Sequence, residues 1–166
     1  MSKKIIIVDS STLIALERGE LINYLDKINL EIVIGKDVLN EIGDLKKSFT
    51  NYRIENLNGK TKGFSENIEK LGIGKGEAEC IAILTKLNQK LIICDDVKLT
   101  RQLFLFKNDK LNDLRINGFS FFLDIFCKKG LITDVWPYFN KIIGECNWER
   151  SEVLALNFAF LKRLGY

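Results

Sequence analysis

The stretch Ile5-Ile6-Ile7-Val8-Asp9-Ser10-Ser11-Thr12 decides the fold that we predict for this chain. A run of β-branched and other apolar residues with no polar interruption is typical of a strand buried on both faces, as in a parallel sheet. The small hydroxyl residues after Asp9 are good helix starters, so a helix to about Arg18 follows directly. Ligands of open parallel sheets bind at the carboxyl ends of the strands, which is where this pattern places Asp9.

A second buried strand, Leu91-Ile92-Ile93-Cys94, ends in the same way, at Asp95-Asp96, and leads into a helix over Val97–Phe106. Weaker strand patterns cover 31–34, 52–57 and 114–116, and helical patterns lie between them. These helical patterns cover 21–25, 37–47, 64–71 and the apolar segment 77–87. Alternating strands and helices predict a three-layer α/β/α domain around a mainly parallel central sheet.

Three further helical patterns, at 119–129, 136–143 and 152–164, predict a C-terminal helical extension over about 119–166. Phe119, Phe122 and Phe126 recur at helical spacing and are predicted to lie in the core or on an oligomer face. In the last helix, an apolar set is predicted either to pack on the domain or to contact a partner: Val153, Leu156, Phe160 and Leu164. Composition does not shift along the chain, which predicts a single domain over 1–166.

The composition excludes several classes of function. The 166 residues contain no histidine, so no Ser-His-Asp or Cys-His nucleophile can form. The cysteines lack C-x-x-C spacing, which argues against structural zinc and favours buried free thiols at Cys80 and Cys94. No apolar run approaches the roughly 20 residues of a membrane span, and no targeting segment is recognised, which predicts a cytoplasmic protein. The net charge of +3 permits a polyanionic partner.

Carboxylates recur where strands end or helices begin: Asp9, Asp95, Asp96 and Glu77. Glu41 borders the apolar stripe of the predicted helix 37–47. Each has an ordinary alternative, since aspartates often cap helices and Glu41 would be unremarkable on a solvated face. In a parallel sheet, however, they share one edge, where they would repel each other unless a divalent cation neutralised them. Oxygen ligands without sulfur or imidazole favour Mg²⁺ or Mn²⁺.

The order and spacing of four short motifs resemble the PIN domain, a family that includes metal-dependent ribonucleases such as the toxins of VapBC toxin–antitoxin systems. The motifs are Val-Asp-Ser-Ser-Thr-Leu-Ile (8–14), Val-Leu-Asn-Glu-Ile (38–42), Gly-Lys-Gly-Glu-Ala-Glu-Cys-Ile-Ala (74–82) and Leu-Ile-Ile-Cys-Asp-Asp-Val-Lys-Leu-Thr-Arg (91–101). The third motif and the segment 118–132 are most similar to an uncharacterised prokaryotic branch of PIN-like proteins. The resemblance covers nearly the whole chain.

Site residues follow from this resemblance one by one. The first acidic position falls on Asp9, with Ser11 as its supporting hydroxyl, and the second on Glu41. The third falls on Glu77, with Glu79 as a weaker candidate on another face of the same helix. The fourth falls on Asp95 or Asp96, and the sequence leaves this choice open. The residues predicted to bind the RNA backbone are Lys75, Lys98 and Arg101, together with the basic residues of 46–62.

The resemblance therefore implies an endoribonuclease that uses Mg²⁺ or Mn²⁺, with Asp9, Glu77 and Asp95 or Asp96 as ligands and Glu41 beside the attacking water. It also implies RNA as substrate, with a small antitoxin protein and a second copy of the chain as candidate partners. Two departures concern the substrate: Thr100 stands where alanine is usual, and the segment 50–63 is unusually polar.

Three alternatives fit parts of the same sequence pattern. A non-catalytic PIN-like module would bind RNA or protein through the same surfaces. A haloacid-dehalogenase-type phosphatase would need a second acid where Ser11 stands. A response-regulator receiver would need its acidic pair early in the chain, whereas here it comes late.

Overall fold

The computed structural model describes residues 4–103 and 113–166, and within these ranges five strands form one sheet. The order across the sheet is β3-β2-β1-β4-β5, and every neighbouring pair is parallel. The strands are β1 (Lys4–Val8), β2 (Leu30–Ile34), β3 (Tyr52–Ile54), β4 (Leu91–Ile93) and β5 (Arg115–Asn117). The sheet that the sequence predicts as mainly parallel is thus wholly parallel across its described strands, and the predicted three-layer α/β/α architecture is confirmed.

Eight α-helices in the described ranges connect or extend these strands. They are α1 (Ser10–Arg18), α2 (Lys36–Ile42), α3 (Gly59–Glu69), α4 (Lys75–Lys86), α5 (Val97–Leu103), α6 (Ser120–Lys128), α7 (Trp136–Glu145) and α8 (Glu152–Arg163). Helix α4 packs on β1 and β4, and its residues Ala78–Leu84 are all buried, as its apolar sequence predicts. None of the helices in the described ranges combines the length and hydropathy that a membrane crossing requires.

The predicted helix 37–47 is divided in two. Helix α2 ends at Ile42, and a 3-10 helix continues over Gly43–Lys47. Gly43 adopts a φ of 51°, which side-chain-bearing residues rarely adopt and which interrupts the α-helical hydrogen bonds. The predicted helical piece 21–25 is likewise a 3-10 helix, over Ile22–Lys27.

The polar segment 50–63 contains more structure than its composition suggests. The predicted strand 52–57 is shorter, since β3 ends at Ile54, and helix α3 begins at Gly59 rather than near residue 64. Asn58 and Thr61 form a reciprocal capping box at the start of α3. It provides acceptors for backbone N–H groups of the first turn, which have no partner within the helix. Of the predicted helix 97–106, α5 accounts for 97–103, and residues 104–106 lie outside the described ranges.

The three C-terminal helices are present as predicted, and Phe119, Phe122 and Phe126 are fully buried in the core. Of the apolar set predicted for α8, Val153 packs on the domain, whereas two leucines do not. Leu156 and Leu164 are 51% and 45% exposed. The buried positions of α8 are Val153, Asn157 and Leu161, four residues apart, so a polar side chain occupies the middle of the buried stripe.

Strand register brings the two aspartate-bearing strand ends together. Val8 of β1 pairs with Ile93 of β4, and the Asp9 backbone N–H donates to the Ile93 carbonyl at 2.9 Å. Asp9 and Cys94 therefore lie side by side at the carboxyl edge of adjacent central strands, which is where ligand crevices form in parallel sheets.

Candidate functional site

Asp9 lies at the centre of this edge and is 1% exposed. Its Oδ2 accepts hydrogen bonds from the Ser11 backbone N–H at 3.1 Å and from the Ser11 hydroxyl at 2.7 Å. Asp9 is thus the N-cap of α1, as the ordinary interpretation of the sequence holds. Its other oxygen, Oδ1, is buried and has no hydrogen-bond partner among the described residues. A buried carboxylate oxygen without a partner is costly, and a cation would relieve that cost.

Cys94 also borders the Asp9 carboxylate, and the sequence analysis did not predict this contact. Its Sγ lies 3.5 Å from Asp9 Oδ2 and 3.9 Å from Ser11 Oγ. Burial, with a smaller contribution from the charge of Asp9, raises the pKa of the Cys94 thiol well above its ordinary value. The side chain is therefore a neutral thiol in contact with the Asp9 carboxylate, and Cys80 and Cys94 are both buried free thiols as predicted.

Glu77, in the first turn of α4, faces the same edge. Burial raises the pKa of its carboxyl to about 7, with the negative charges of Asp9 and Asp96 adding to the shift. Asp96 is within hydrogen-bonding reach of Glu77. Gly74 leaves the space that this carboxylate occupies, since a methyl group there would collide with it. Three carboxylates therefore approach one another here, and within the described ranges none of them forms a salt bridge with a lysine or arginine.

Glu79, two residues further along α4, has a different role. It is 4% exposed, and its carboxylate accepts backbone N–H groups of Lys36, Asp37 and Val38 at 2.8, 2.7 and 3.4 Å. Glu79 thus supplies from another helix the N-terminal cap that α2 lacks in its own sequence. Helix periodicity separates the two glutamates, so Glu77 faces the sheet edge and Glu79 faces α2.

Asp95 and Asp96 also differ. Both oxygens of Asp95 accept hydrogen bonds: Oδ2 from the Thr12 hydroxyl at 2.7 Å and the Phe119 N–H at 3.0 Å, Oδ1 from the Asn157 amide at 2.8 Å. Burial nevertheless raises the pKa of Asp95 to about 6. Asp96 is partly exposed, its Oδ1 accepts the Lys98 backbone N–H at 2.7 Å, and its carboxylate is also within hydrogen-bonding reach of Glu77.

Asn157 of α8 is a residue that sequence analysis missed. Its amide donates to Asp95 and to the Val153 carbonyl, and its oxygen accepts the Ser120 N–H at 3.0 Å. Gly118 is needed beside it, because a methyl group there would collide with both Asp95 and Asn157. The signal was available: Asn157 occupies a position at four-residue spacing between Val153 and Leu161, where an apolar residue is expected.

Glu41 reaches the edge from α2. The residue is exposed, and its Oε2 accepts the hydroxyl of Ser10 at 2.5 Å. Its Oε1 lies 2.9 Å from the position that a methyl group on Gly76 would occupy, so the carboxylate rests against the first turn of α4. Glu41 therefore sits next to, rather than among, the carboxylates of Asp9, Glu77 and Asp96.

The fit of these residues to a cation can be judged from the donors themselves. As they stand, no group of three or more acidic, cysteine or histidine side chains within residues 4–103 and 113–166 is arranged to hold a metal ion. The chemistry of the set nevertheless fits a hard divalent cation, because every candidate ligand is a carboxylate oxygen and Asp9 Oδ1 is buried without a partner.

The predicted RNA-binding cations lie around this edge with different partners. Lys75 pairs with Asp37 at 2.9 Å, and Arg101 of α5 pairs with Glu152 of α8. Lys98 is exposed, and within the described ranges no carboxylate pairs with its ammonium group. In the predicted basic segment 46–62, Lys47 pairs with Asp44, and Arg53 pairs with Glu31 and Glu55. Among the described residues, Lys98 follows Asp96 by two positions and has no carboxylate partner, so its ammonium group is available to a phosphate.

Comparison with known families gives one result. A family model for the PIN domain matches residues 5–162. No significant match was found among curated proteins or among solved structures. The matched range includes all but the first residue of β1, the other four strands, and all the carboxylates described above.

Proposed function

The chain belongs to the PIN-domain family, which has a nuclease-type fold, and from this premise we propose that it is a metal-dependent endoribonuclease. One observation carries the proposal: Asp9 Oδ1 is buried without a partner at the point where Glu77 and Asp96 also converge. An N-cap needs only the oxygen that Ser11 already occupies. The second oxygen is thus available to a ligand that the protein itself does not provide.

We assign the cation to Asp9, Glu77 and Asp96, and of the pair left open by the sequence we choose Asp96. The two oxygens of Asp95 are already committed to Thr12, Phe119 and Asn157. Mg²⁺ or Mn²⁺ suits an all-oxygen set of this kind. When bound, such a cation would supply Lewis-acid activation of water and stabilise charge developing on the phosphate.

The remaining residues would position the reactants. Ser11 fixes the Asp9 carboxylate through two hydrogen bonds, which holds its free oxygen toward the edge. Glu41, oriented by the Ser10 hydroxyl, would accept a proton from the attacking water as a general base. Lys98 would bind a phosphate of the RNA strand next to the scissile bond.

A toxin role, with a small antitoxin as partner, is the finer form of this proposal. It rests on the family resemblance, and α8 offers the apolar surface that a partner or a second copy would cover, through Leu156, Phe158 and Leu164. Induced expression in bacteria tests it. If the protein is a toxin, its expression arrests growth and the Asp9→Asn variant does not. Normal growth of cells that contain the active enzyme would show that the ribonuclease is not a toxin.

The activity is tested by incubating labelled single-stranded RNA with the protein and Mg²⁺, Mn²⁺ or EDTA. We expect cleavage only with the cation, and a loss of about 10³-fold or more in Asp9→Asn, because Lewis-acid catalysis contributes several kcal/mol and each 1.4 kcal/mol is tenfold. Asp44→Asn, the same chemical change at a site 90% exposed, serves as the matched control. Cleavage in EDTA, or undiminished cleavage by Asp9→Asn, contradicts the mechanism.

A non-catalytic module that binds RNA or protein is the second candidate, favoured by the absence of a preformed three-ligand cluster in the described residues. RNA binding without cleavage under any divalent cation would establish it. Hydrolysis of p-nitrophenyl phosphate without RNA cleavage would instead indicate a phosphatase.

A further inference from the structure

Asn157 is the polar member of the buried stripe of α8, whose other members are Val153 and Leu161. It is 3% exposed, and an amide buried this deeply is costly unless it is hydrogen-bonded. Its Nδ2 donates to Asp95 Oδ1 at 2.8 Å and to the Val153 carbonyl at 3.0 Å, and its Oδ1 accepts the Ser120 N–H at 3.0 Å. A leucine, as at position 161, would fill the stripe without these requirements. What the amide adds is therefore its bond to Asp95.

Asp95 receives this bond on a carboxylate that two other parts of the chain also hold. The Thr12 hydroxyl of α1 donates to Oδ2 at 2.7 Å, and the Phe119 N–H at the start of α6 donates to Oδ2 at 3.0 Å. The pair of Asp95 and Asn157 fills the space beside Gly118, since a methyl group there would lie 2.2 Å from Asp95 Oδ1 and 2.5 Å from Asn157 Oδ1. Asp95 is therefore fixed by α1, α6 and α8 together.

The backbone of Asp95 extends this constraint to the carboxylate edge. Its N–H donates to Ser11 Oγ at 3.0 Å, and the same hydroxyl donates to Asp9 Oδ2 at 2.7 Å. A serine hydroxyl has a single proton to donate. Because the Asp95 N–H points at the hydroxyl oxygen, that proton is directed to Asp9, whose Oδ1 is left without a partner among the described residues. The orientation of this free oxygen therefore depends on the position of the Asp95 backbone.

Asp96 belongs to the same backbone segment. Its N–H donates to Cys94 Sγ at 3.3 Å, and its Oδ1 accepts the Lys98 N–H at 2.7 Å. These contacts lie within residues 94–98, whereas the Asp95 carboxylate ties the segment to α1, α6 and α8. A shift of Asp95 would therefore displace the Asp96 carboxylate together with the hydroxyl that orients Asp9.

We propose that Asn157 is a positioning residue of the metal site. Through Asp95 it fixes both the hydroxyl that orients Asp9 and the backbone segment that carries Asp96. The proposal rests on the proposed function and deepens it, since it makes the last helix of the described chain part of the same site. Asn157 itself would contact neither the cation nor the RNA. Loss of such a supporting group typically lowers metal affinity by roughly 10–100-fold.

The test measures Mn²⁺ binding without RNA, so that its readout is independent of cleavage. The protein is titrated with Mn²⁺ at neutral pH, and free Mn²⁺ is followed by its electron paramagnetic resonance signal. Asn157→Leu keeps nearly the shape of the side chain and suits the apolar stripe, so it should fold and lose the hydrogen bonds of the amide. We expect its Mn²⁺ affinity to fall about tenfold. Unchanged affinity overturns the proposal.

Leu161→Val is the matched control. It weakens the packing of the same buried stripe one turn away and leaves the bond between Asn157 and Asp95 in place. It should lower the Tm and leave the Mn²⁺ affinity unchanged. An equal loss of affinity in Leu161→Val and Asn157→Leu would show that any loosening of α8 has this effect, and it would overturn the assignment to Asn157.

An exchange of the two side chains is the sharpest variant. In the double variant Asp95→Asn with Asn157→Asp, the hydrogen bond forms in the opposite direction and the net charge is unchanged. The amide oxygen at position 95 still accepts from Thr12 and Phe119, and the carboxylate at position 157 still accepts the Ser120 N–H. The exchange should restore most of the affinity that Asn157→Leu loses. If it does not, the cation needs the Asp95 carboxylate itself, and the positioning role is overturned.

The proposed function fails in a different way. Mn²⁺ binding that depends on Asn157, without cleavage of any RNA, would retain the positioning role and refute the ribonuclease. RNA cleavage with the same Mn²⁺ affinity in the native protein and in Asn157→Leu would retain the ribonuclease and refute the positioning role. A native protein that binds no Mn²⁺ would overturn both.

Discussion

Two strand ends with nearly the same sequence pattern have opposite roles in this protein. At the end of β1, Asp9 uses one oxygen to cap a helix and keeps the other buried without a partner. At the end of β4, Asp95 has both oxygens filled by three donors from three different parts of the chain. The difference shows that a buried aspartate at a sheet edge is a ligand candidate only when its hydrogen bonds leave an oxygen unused.

The two glutamates of α4 repeat this contrast. Glu79 is saturated by three backbone N–H groups of α2, and Glu77 faces two other carboxylates. Carboxylates whose oxygens are all hydrogen-bonded therefore support the fold, while those with an unused oxygen are the candidate ligands. Substitutions at the four positions should separate these roles.

The largest difference in stability is expected between Asp95→Ala and Asp9→Ala. Removing Asp95 leaves the buried Thr12 hydroxyl and Phe119 N–H without an acceptor, which should lower the free energy of unfolding by about 2–4 kcal/mol. Asp9→Ala loses a helix cap, worth about 1 kcal/mol. Urea denaturation measures both, and a greater loss in Asp9→Ala would reverse the assignment of roles.

A smaller difference is expected between the two glutamates. Glu79→Gln keeps one acceptor oxygen but turns the other into a donor facing the α2 backbone, at a cost of about 1–2 kcal/mol. Glu77→Gln removes a negative charge from a crowded site and should leave stability unchanged or slightly raised at pH 7.

The same denaturation series tests this pair, with RNA cleavage assayed in parallel. Glu77→Gln should be inactive and stable, Glu79→Gln less stable and active while folded. Equal stability and equal activity of the two variants would contradict the different roles proposed for Glu77 and Glu79.

The smallest expected effect is a dependence of stability on pH. Because the pKa of Glu77 rises from its usual 4.5 to about 7 on folding, the native state binds more protons than the unfolded state between these values. Stability of the metal-free protein should therefore fall as pH rises through this range, by about 1 kcal/mol after allowing for partial exposure of the side chain.

Thermal unfolding in EDTA at pH 5 and 7.5 measures this fall. Asp95, whose pKa is raised to about 6, should contribute in the same direction and remain as a residual slope in Glu77→Gln. Mg²⁺ should stabilise the protein more at pH 7.5 than at pH 5, since it competes with the proton on Glu77. A stability that rises with pH over this range would contradict a raised pKa of Glu77 in the folded protein.

Much of the fold was predictable because its determinants are local. The apolar runs before Asp9 and Asp95 give the central strands, and the sequence of α4, apolar on nearly every side, indicates a buried helix. The break in the predicted helix 37–47 depends on the backbone conformation of Gly43, and the start of α3 on a capping box within a polar segment, which periodicity does not reveal.

The site was predictable only as a set of candidates. Residue type and order brought Asp9, Glu77, Asp95 and Asp96 to one edge. Which of their oxygens are filled depends on Thr12, Phe119 and Asn157, whose approach is decided by the packing of α1, α6 and α8. The exposure of Leu156 and Leu164 also depends on this packing, because Asn157 occupies the buried position on α8.

The hydrogen bond between Asp95 and Asn157 also imposes an order of assembly. Its partners are 62 positions apart in the sequence, and α8 is the last helix in the described chain. On the ribosome, where N-terminal segments emerge first, β1, α4 and β4 are available long before α8. The acidic edge thus acquires its final wall only after α8 has been synthesised. A nascent chain that stops before α8 would hold Asp95 without its Asn157 partner.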